Sequence, residues 1–244
     1  MRSKYLFLFV ICLFSLCCTS QDDNYTVVPT SNPNTETPDP EPETKGPFTY
    51  LALGDSYTIG HSVPENERFP VQLSSVLNAA GYEVTDTRIV AKTGWTTDEL
   101  QAGIANETGL SSAYHFVSLL IGVNNQYRNR PVETYEPEFT SLLERAIEFA
   151  AGNKDRVFVV SIPDYAYTPF GDGNTNISDG IDIYNATNKE ITEAMGVRYF
   201  DITPISREGL DRPELVASDG LHPSGEQYRR WVELMFPGVK EMLD

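Results

Sequence analysis

The chain has 244 residues, of which 40% are hydrophobic and 22% charged, and its formal net charge is −17. This length and composition fit a globular protein with a substantial core, and the acidity argues against nucleic acid as a partner, because phosphate backbones need clustered cations. All three cysteines, Cys12, Cys17 and Cys18, lie near the N-terminus, which excludes a disulfide framework or a thiolate metal site from the rest of the chain.

The N-terminus has the pattern of an export signal. Arg2 and Lys4 form a short basic start, and residues 5–16 are an apolar run. That run is shorter than the roughly 20 apolar residues of a membrane-spanning helix. Strongly polar sequence follows it at once, which favours a cleaved signal peptide over a buried helix.

The residues that end this apolar run resemble a bacterial lipoprotein signal, in which a cysteine becomes the lipidated first residue of the mature chain. The resemblance implies that Cys18 is the lipidation site. Ser15 stands where such signals usually carry leucine, so Cys17, or cleavage by an ordinary signal peptidase, stays an alternative. Asp22 and Asp23 are similar to the surface-export signals of Bacteroidetes lipoproteins. The implied location is the outer membrane or cell surface, with a periplasm-facing position as the alternative.

Residues 19–46 are rich in Thr, Asn, Pro and Glu and contain few apolar side chains. Such a segment cannot offset its own ordering entropy, and its alternating prolines favour an extended, semi-stiff chain. We therefore expect a tether, with the lipid anchor as the only membrane contact. The predicted organisation is a signal peptide at 1–18, a disordered tether at 19–46 and one folded domain at 47–244.

From residue 47 onwards, apolar runs typical of strands alternate with segments of helical spacing. The predicted strands cover residues 48–53, 83–91, 115–121, 156–162 and 197–202. The predicted helices cover residues 70–80, 132–151, 181–195 and 223–235, and a further helix opens at Thr96. This alternation predicts an α/β fold with a five-stranded parallel sheet covered on both faces. Ligands of such sheets bind beyond the carboxyl ends of the strands, so candidate residues should follow the strands.

Two short motifs follow the first two predicted strands. Gly54, Asp55 and Ser56 come directly after the first strand. Ser56 would stand there with its hydroxyl exposed and Asp55 would brace the turn, although a routine strand-to-helix turn explains the same residues. Gly94 follows the second strand, where a glycine lets a backbone N–H approach a ligand closely. Taken alone, it indicates only a loop glycine.

Two further motifs follow later strands. Asn124 comes after the third strand, and its side-chain amide can either donate to a developing oxyanion or satisfy its own turn. Asp219 and His222 lie three residues apart on a tight loop, where the carboxylate can fix the imidazole tautomer and leave Nε2 to accept a proton from a serine. Of the three histidines, His61, His115 and His222, we expect only the last to have an acidic partner.

Together the four motifs, in this order, resemble those of the SGNH/GDSL hydrolase superfamily of esterases and lipases over residues 48–236. The resemblance implies a flavodoxin-like three-layer α/β/α sandwich and serine ester hydrolysis without a metal or cofactor. The catalytic residues that it implies are Ser56, His222 and Asp219. The oxyanion donors that it implies are the N–H groups of Ser56 and Gly94 and the side chain of Asn124. The third motif departs from the superfamily, which usually has Asp where this chain has Asn125.

Aromatic side chains follow the second, third and fourth predicted strands. Trp95, Tyr127 and Tyr165 are candidates for the wall of an acyl or sugar pocket, since aromatic rings supply much contact area at low entropy cost. Arg128 and Arg130 could meet an anionic group on a substrate or simply lie in solvent. The resemblance implies a small-molecule, glycan or lipid ester as substrate, such as an acetylated carbohydrate or a lysophospholipid, and the sequence does not rank these.

Two other functions stay compatible with the sequence. A catalytically silent lipoprotein that binds carbohydrate could use the same fold. A metallophosphoesterase could use Asp55, Asn124, Asp219 and His222 as ligands, although the chain offers few histidines for such a site. We expect the esterase, with no metal in its site and no nucleic-acid partner.

Overall fold

The structure of the protein is a computed structural model that describes residues 44–244. The predicted signal peptide, the predicted lipidation site Cys18 and all but the end of the predicted tether lie outside the described residues. Within residues 44–244, the structure contains no helix that is both long and apolar enough to cross a membrane.

Five parallel strands form one sheet, in the order β2-β1-β3-β4-β5. The strands are β1 (Lys45–Gly54), β2 (Tyr82–Ala91), β3 (Phe116–Leu120), β4 (Val157–Val160) and β5 (Arg198–Phe200). Both β3 and β4 are buried along their whole length, as expected for strands of a sheet that is covered on both faces. The strand order is that of flavodoxin-like folds, so the predicted five-stranded parallel α/β fold is confirmed.

Eight α-helices connect and cover these strands within the described part of the chain. They are α1 (Ser56–Ile59), α2 (Phe69–Ala79), α3 (Thr97–Asn106), α4 (Val123–Tyr127), α5 (Val132–Phe149), α6 (Thr175–Ala194), α7 (Thr203–Ser206) and α8 (Gly225–Leu243). The long helices form two groups: α2 packs against α8, whereas α5 packs against both α3 and α6. Right-handed crossovers put these groups on opposite faces of the sheet, which gives the three layers.

Two elements begin earlier than the apolar pattern predicts. The first strand starts at Lys45, whose register partner is Tyr82 of β2, so the end of the predicted tether belongs to the sheet. The sixth helix starts at Thr175 and not at residue 181. Its first turn is polar, and the side chain of Asn174 caps it by accepting a bond from the backbone N–H of Asn176. The start of α6 is therefore set by the Asn174 cap and not by the spacing of its apolar residues.

The last helix ends later than predicted. The helical spacing predicts an end near residue 235, two residues before Pro237, and a proline lacks the N–H donor of a helix interior. Instead, α8 continues through Pro237 to Leu243. Val239, Met242 and Leu243 are buried in that last stretch. Their burial offsets the lost hydrogen bond, because burying such side chains contributes about 1.5–3 kcal/mol each.

The sheet brings the segments after its first three strands to a common edge. β1 lies between β2 and β3, and Gly54 is in register with Ala91 of β2 and with Leu120 of β3. The strand order reverses between β1 and β3, and a switch point of this kind opens a crevice between the loops that leave the strands. Ser56, Gly94 and Asn124 lie on these segments, whereas Asp219 and His222 lie on the loop before α8.

Candidate active site

Ser56 is the first residue of α1, directly after β1. Asp55 caps this helix, and its Oδ1 accepts a hydrogen bond of 3.0 Å from the backbone N–H of Tyr57. Packing requires a glycine at Gly54, because a Cβ there would collide with the side chain of Thr58 and with a carbonyl of β3. The turn therefore holds Ser56 at the carboxyl edge of the sheet, where it lines a cleft.

Asp219 and His222 form a hydrogen-bonded pair on the loop before α8. His222 Nδ1 lies 2.6 Å from Asp219 Oδ2, and Asp219 Oδ1 accepts bonds of 3.0 Å from the N–H groups of Leu221 and His222. Another loop adds Ser62, whose hydroxyl donates to Asp219 Oδ2 over 2.6 Å. These contacts fix the carboxylate and one side of the imidazole. His222 lines the same cleft as Ser56, and its Nε2 is not used by the carboxylate.

The surroundings of this pair favour a carboxylate beside a neutral imidazole. Partial burial disfavours the charged form of Asp219, but the hydrogen bonds from Ser62, His222 and Leu221 outweigh it and hold the pKa of this carboxyl well below its usual value. Burial lowers the pKa of His222 below its usual value, although the Asp219 carboxylate acts in the opposite direction. A neutral imidazole is the form that accepts a proton as a general base.

Gly94 and Asn124 lie on two loops that border the same cleft. Gly94 has a φ of +89°, which side chains rarely permit, so glycine suits this turn. Asn124, in α4, donates a hydrogen bond of 2.9 Å from Nδ2 to the carbonyl of Trp95, which is the residue after Gly94. One N–H of the amide thus fixes its orientation, and the second is left for a ligand.

Arg128 ties the same two loops together. Its Nη2 donates to the carbonyl of Gly94 over 2.7 Å, and its Nη1 donates to Glu99 over 3.2 Å. Arg130 forms an ion pair of 2.6 Å with Asp98. Both arginines are therefore engaged by the protein itself, and neither lines the cleft. The sequence does not reveal this arrangement, because Gly94 lies 34 residues away along the chain.

The cleft between these loops has a volume of about 210 Å³. Its described lining is mainly apolar and aromatic, and it contains no lysine, arginine or carboxylate. The lining residues are Ser56, Tyr57, Thr93, Gly94, Val123, Asn124, Tyr127, Tyr165, Phe170, Leu221 and His222. The structure thus brings Ser56, Gly94, Asn124 and His222 to one cleft.

An aromatic cluster forms one wall of the cleft. The ring centroids of Tyr127, Tyr165 and Phe170 lie 6.2–6.3 Å apart in each pair. Tyr127 and Phe170 are 55% and 53% exposed, so their rings are available to a ligand. The predicted place of Trp95 in this wall is wrong. Its ring packs against Gly103 in α3, where a Cβ would collide with it, and it does not line the cleft.

Asn125, the departure from the superfamily pattern, is fully buried and joins α4 to the start of α3. Its Oδ1 accepts a bond of 3.1 Å from the backbone N–H of Thr97, and its Nδ2 donates to Thr97 Oγ1 over 2.7 Å. The Thr97 hydroxyl in turn donates to Glu138. A neutral amide suits this position because it both donates and accepts, whereas a carboxylate would compete with Glu138 for the hydroxyl proton.

Asp55 is fully buried beside the candidate nucleophile but does not line the cleft. Burial raises the pKa of its carboxyl to about 7, although the hydrogen bond from the Tyr57 N–H acts against this rise. Its Oδ2 has no hydrogen-bond partner among the residues that the structure describes. The position supports the predicted bracing role, in which Asp55 holds the turn that carries Ser56.

His61 and Ser62 lie on the loop after α1, and no pattern in the sequence identifies them as site residues. His61 Nε2 lies 4.0 Å from Asp219 Oδ2, and its ring centroid lies 4.6 Å from that of His222. His61 therefore also lies near Asp219, which the sequence does not predict. His61, Asp219 and His222 are the one group of three potential metal ligands found within residues 44–244. Asp55, which the sequence also offers as a ligand, does not belong to this group.

Several solved structures resemble this chain. TesA has 16% sequence identity and a TM-score of 0.60, with 80% of this chain and 99% of that protein covered. The lipase/acylhydrolase from Enterococcus faecalis has 20% identity and a TM-score of 0.62, with 80% and 96% covered. A variant of Axe2, an acetyl xylan esterase from Geobacillus stearothermophilus, has 18% identity and a TM-score of 0.57, with 81% and 96% covered. Identities this low establish a shared fold. No curated protein sequence matches the chain.

The sequence also matches the model of a protein family. The GDSL-like Lipase/Acylhydrolase family model covers residues 52–230. This range is well over half of the chain and includes Ser56, the two loops that border the cleft, and the Asp219–His222 pair. The chain therefore belongs to the GDSL-like lipase/acylhydrolase family and is an ester-hydrolysing enzyme.

Proposed function

We propose that the protein hydrolyses carboxylic esters through an acyl-enzyme formed on Ser56. The observation that carries this proposal is the 2.6 Å contact between Asp219 and His222, on a loop that borders the cleft containing Ser56. A carboxylate bonded to Nδ1 keeps the Nδ1 proton in place and leaves Nε2 as the proton acceptor. Each partner thus has a defined role, and the reaction proceeds in two half-reactions.

In the first half-reaction, Ser56 Oγ attacks the ester carbonyl carbon while its proton moves to His222 Nε2. The carbonyl oxygen becomes an oxyanion, and the proposed donors to it are the N–H groups of Ser56 and Gly94 and the second amide N–H of Asn124. Each such donor lowers the barrier by about 3 kcal/mol. His222 then gives the proton to the leaving alcohol, and the acyl group stays on Ser56.

In the second half-reaction, water attacks the acyl-enzyme and gives a proton to His222 Nε2. The tetrahedral oxyanion forms again at the same donors, and its collapse breaks the bond to Ser56 Oγ, which regains the proton. Asp219 stabilises the imidazolium in both halves without taking up the proton itself. The products are a carboxylic acid and an alcohol.

We propose short-chain esters of neutral alcohols, such as acetylated carbohydrates, as the substrates. The cleft of about 210 Å³ is smaller than the roughly 300–1,000 Å³ of pockets for drug-sized ligands, which favours a short acyl group. The exposed rings of Tyr127 and Phe170 offer apolar faces to a sugar ring. Among the described residues that line the cleft, none is a lysine or arginine that could bind the phosphate of a lysophospholipid. Acetyl xylan esterase activity in the structurally similar Axe2 is consistent with this choice.

The nucleophile is tested with a fluorophosphonate probe followed by peptide mass spectrometry. We expect one labelled peptide, which carries Ser56, and no label or esterase activity in Ser56→Ala. Label on another residue, or full activity in Ser56→Ala, contradicts the assignment. Binding of glycans by unlabelled, inactive protein would instead support a silent carbohydrate-binding role.

The substrate is tested by comparing acetate release from acetylated xylan with fatty-acid release from lysophosphatidylcholine, beside a chain-length series of p-nitrophenyl esters. We expect kcat/KM to fall as the acyl chain grows beyond about four carbons, because the cleft is small. Efficient hydrolysis of lysophosphatidylcholine with no release from acetylated xylan contradicts the proposed substrate class.

We also propose that the protein is exported as a lipoprotein anchored through Cys18 at the outer membrane or cell surface. The basic start, the apolar run and the clustered cysteines of the leader support this proposal. Metabolic labelling with a palmitate analogue should mark the protein in a Gram-negative host, and Cys18→Ser should abolish the label. Loss of label in Cys17→Ser, with label kept in Cys18→Ser, would move the anchor to Cys17.

A further inference from the structure

His61, Asp219 and His222 come together from two loops and form a compact group of potential ligand atoms. One ligand atom from each residue lies within 4.8 Å of the others. Two imidazoles and a carboxylate are donors that suit zinc and related transition-metal ions. The proposed ester hydrolysis uses Asp219 and His222 but gives no role to His61.

His61 is oriented as metal-binding histidines usually are. Its Nδ1 lies 3.0 Å from the hydroxyl oxygen of Thr93, and its Nε2 faces Asp219 Oδ2 at 4.0 Å. Histidine ligands generally donate their second ring N–H to an oxygen, and Thr93 provides that oxygen. The gap to Asp219 is too long for a hydrogen bond. In the tautomer whose Nδ1 proton is directed at Thr93, the Nε2 lone pair is free to bind an ion between the two side chains.

We propose that His61, Asp219 and His222 bind one divalent transition-metal ion, such as Zn²⁺, and that this binding inhibits the enzyme. Tetrahedral zinc with ligands at about 2.0–2.1 Å places neighbouring ligand atoms about 3.4 Å apart. His61 Nε2 therefore has to approach Asp219 by less than about 1 Å, and the 2.6 Å contact between His222 Nδ1 and Asp219 Oδ2 has to lengthen by a similar amount. The side chain of His61 is 46% exposed, so it has room for this shift.

A metal ion in this position would inhibit the esterase because it binds the proposed general base, His222. His222 Nδ1 is the ring atom that lies next to the carboxylate, at 2.6 Å from Asp219 Oδ2. An ion bound there would displace the Nδ1 proton to solvent, and Nε2 would take up a proton from solvent, so that the imidazole stays neutral but carries its proton on Nε2. Nε2 is then a donor and cannot accept the proton of Ser56. The inhibition rests on the proposed function, whereas binding of the ion does not.

Binding is tested by titrating ZnCl₂ into the intact Ser56→Ala chain in a calorimeter. This variant keeps all three proposed ligands. We expect one Zn²⁺ per chain, and an affinity at least tenfold lower when His61→Gln is added. His115→Gln is the matched control, because His115 contacts Thr49 at the other end of the sheet and should leave the affinity unchanged. Equal Zn²⁺ affinity with and without His61 overturns the proposal.

Inhibition is tested with p-nitrophenyl acetate, with each rate divided by the metal-free rate of the same variant. We expect Zn²⁺ to inhibit the unmodified chain and His115→Gln equally, and EDTA to restore both. His61→Gln should need at least tenfold more Zn²⁺ for half inhibition, and Mg²⁺, which prefers oxygen ligands, should not inhibit. Equal inhibition of the unmodified chain and His61→Gln contradicts the proposed site. A chain without esterase activity contradicts the proposed function and leaves the calorimetric test decisive.

Discussion

At the scale of single residues, the proposed chemistry depends on the charge states of Asp219 and His222. The hydrogen bonds to Asp219 lower the pKa of its carboxyl and favour the ionised form, and burial lowers the pKa of His222 and favours the neutral imidazole. A buried imidazolium is costly in isolation, but it would form beside a carboxylate that is already in place. The pair can therefore hold a neutral base in the resting enzyme and stabilise the charged form during the reaction.

The charge state of His222 predicts how the esterase activity depends on pH. The neutral form of His222 is the base, and its fraction rises with pH through the pKa of the imidazole. Because burial lowers that pKa, kcat/KM should rise with pH and reach its plateau earlier than an unperturbed histidine, with its pKa of about 6.5, would allow. Rates of p-nitrophenyl acetate hydrolysis between pH 4 and 9, corrected for the uncatalysed reaction, measure this profile. A flat profile, or a midpoint above about 6.5, contradicts it.

Asn125 gives a second prediction, on stability. In Asn125→Asp the introduced carboxylate would be buried and would compete with Glu138 for the single hydroxyl proton of Thr97. We expect the free energy of unfolding to fall by about 1–3 kcal/mol, which is the usual cost of an unsatisfied buried polar group. Urea denaturation followed by circular dichroism measures the change.

The matched variant is Asn125→Asp combined with Glu138→Gln. A Gln amide can donate to the Thr97 hydroxyl and release its proton for the introduced carboxylate, so the double variant should recover part of the lost stability. If Asn125→Asp is as stable as the unmodified chain, or if Glu138→Gln lowers its stability further, the proposed competition is wrong.

At the scale of elements, apolar periodicity predicts the type and order of the strands and long helices but not all their ends. The buried runs of β3 and β4 carry a clear signal because both faces of these strands are covered. The start of α6 depends on the side chain of Asn174, and the end of α8 depends on burial beyond Pro237. Neither boundary follows from local hydrophobic spacing, since one is set by a cap and the other by tertiary packing.

The contact between Arg128 and Gly94 also belongs to this scale, because it joins the end of α4 to the loop before α3. Removing it in Arg128→Ala should loosen the loop that carries a proposed oxyanion donor. We expect kcat to fall about fivefold to tenfold with a smaller change in KM, which corresponds to about 1 kcal/mol in the transition state. Steady-state kinetics with p-nitrophenyl acetate measure both constants.

Arg130→Ala is the control for this prediction. Arg130 is close in sequence and also forms an ion pair, but its partner Asp98 lies outside the cleft. Its removal should leave kcat within about twofold, because exposed ion pairs contribute little. Equal losses of kcat in the two variants, or a rise in KM alone for Arg128→Ala, would show that the hydrogen bond from Arg128 does not position the loop that carries Gly94.

At the scale of the whole molecule, parallel strands explain why motifs far apart in sequence meet. Ser56, Gly94 and Asn124 are predictable as parts of one site because each follows a strand that ends at the same edge of the sheet, and His222 reaches the same cleft on the loop before α8. His61, Ser62 and Phe170 reach this site through the paths of their loops. No short-range pattern encodes those paths, so the sequence identifies the proposed catalytic residues better than it identifies the walls of the cleft.

The net charge of −17 yields a prediction for the molecule as a whole. A strongly acidic protein repels anionic substrates, and the cleft has no cation among its described lining residues to offset this repulsion. We expect p-nitrophenyl butyrate to be hydrolysed with a higher kcat/KM than mono-p-nitrophenyl succinate, which has the same acyl length and an added carboxylate. The ratio of the two constants should be largest at low salt.

Varying the salt concentration distinguishes charge repulsion from the shape of the cleft as the cause of a preference for the butyrate ester. The screening length falls from about 30 Å at 0.01 M to about 3 Å at 1 M ionic strength, so long-range repulsion is largely removed at the higher value. The butyrate-to-succinate ratio should therefore fall severalfold between 0.01 M and 1 M NaCl, while the constant for butyrate alone stays within about twofold. A ratio that does not change with salt would assign the preference to the shape of the cleft. Faster hydrolysis of the succinate ester at low salt would point to a cation at the cleft and contradict the proposed neutral substrates.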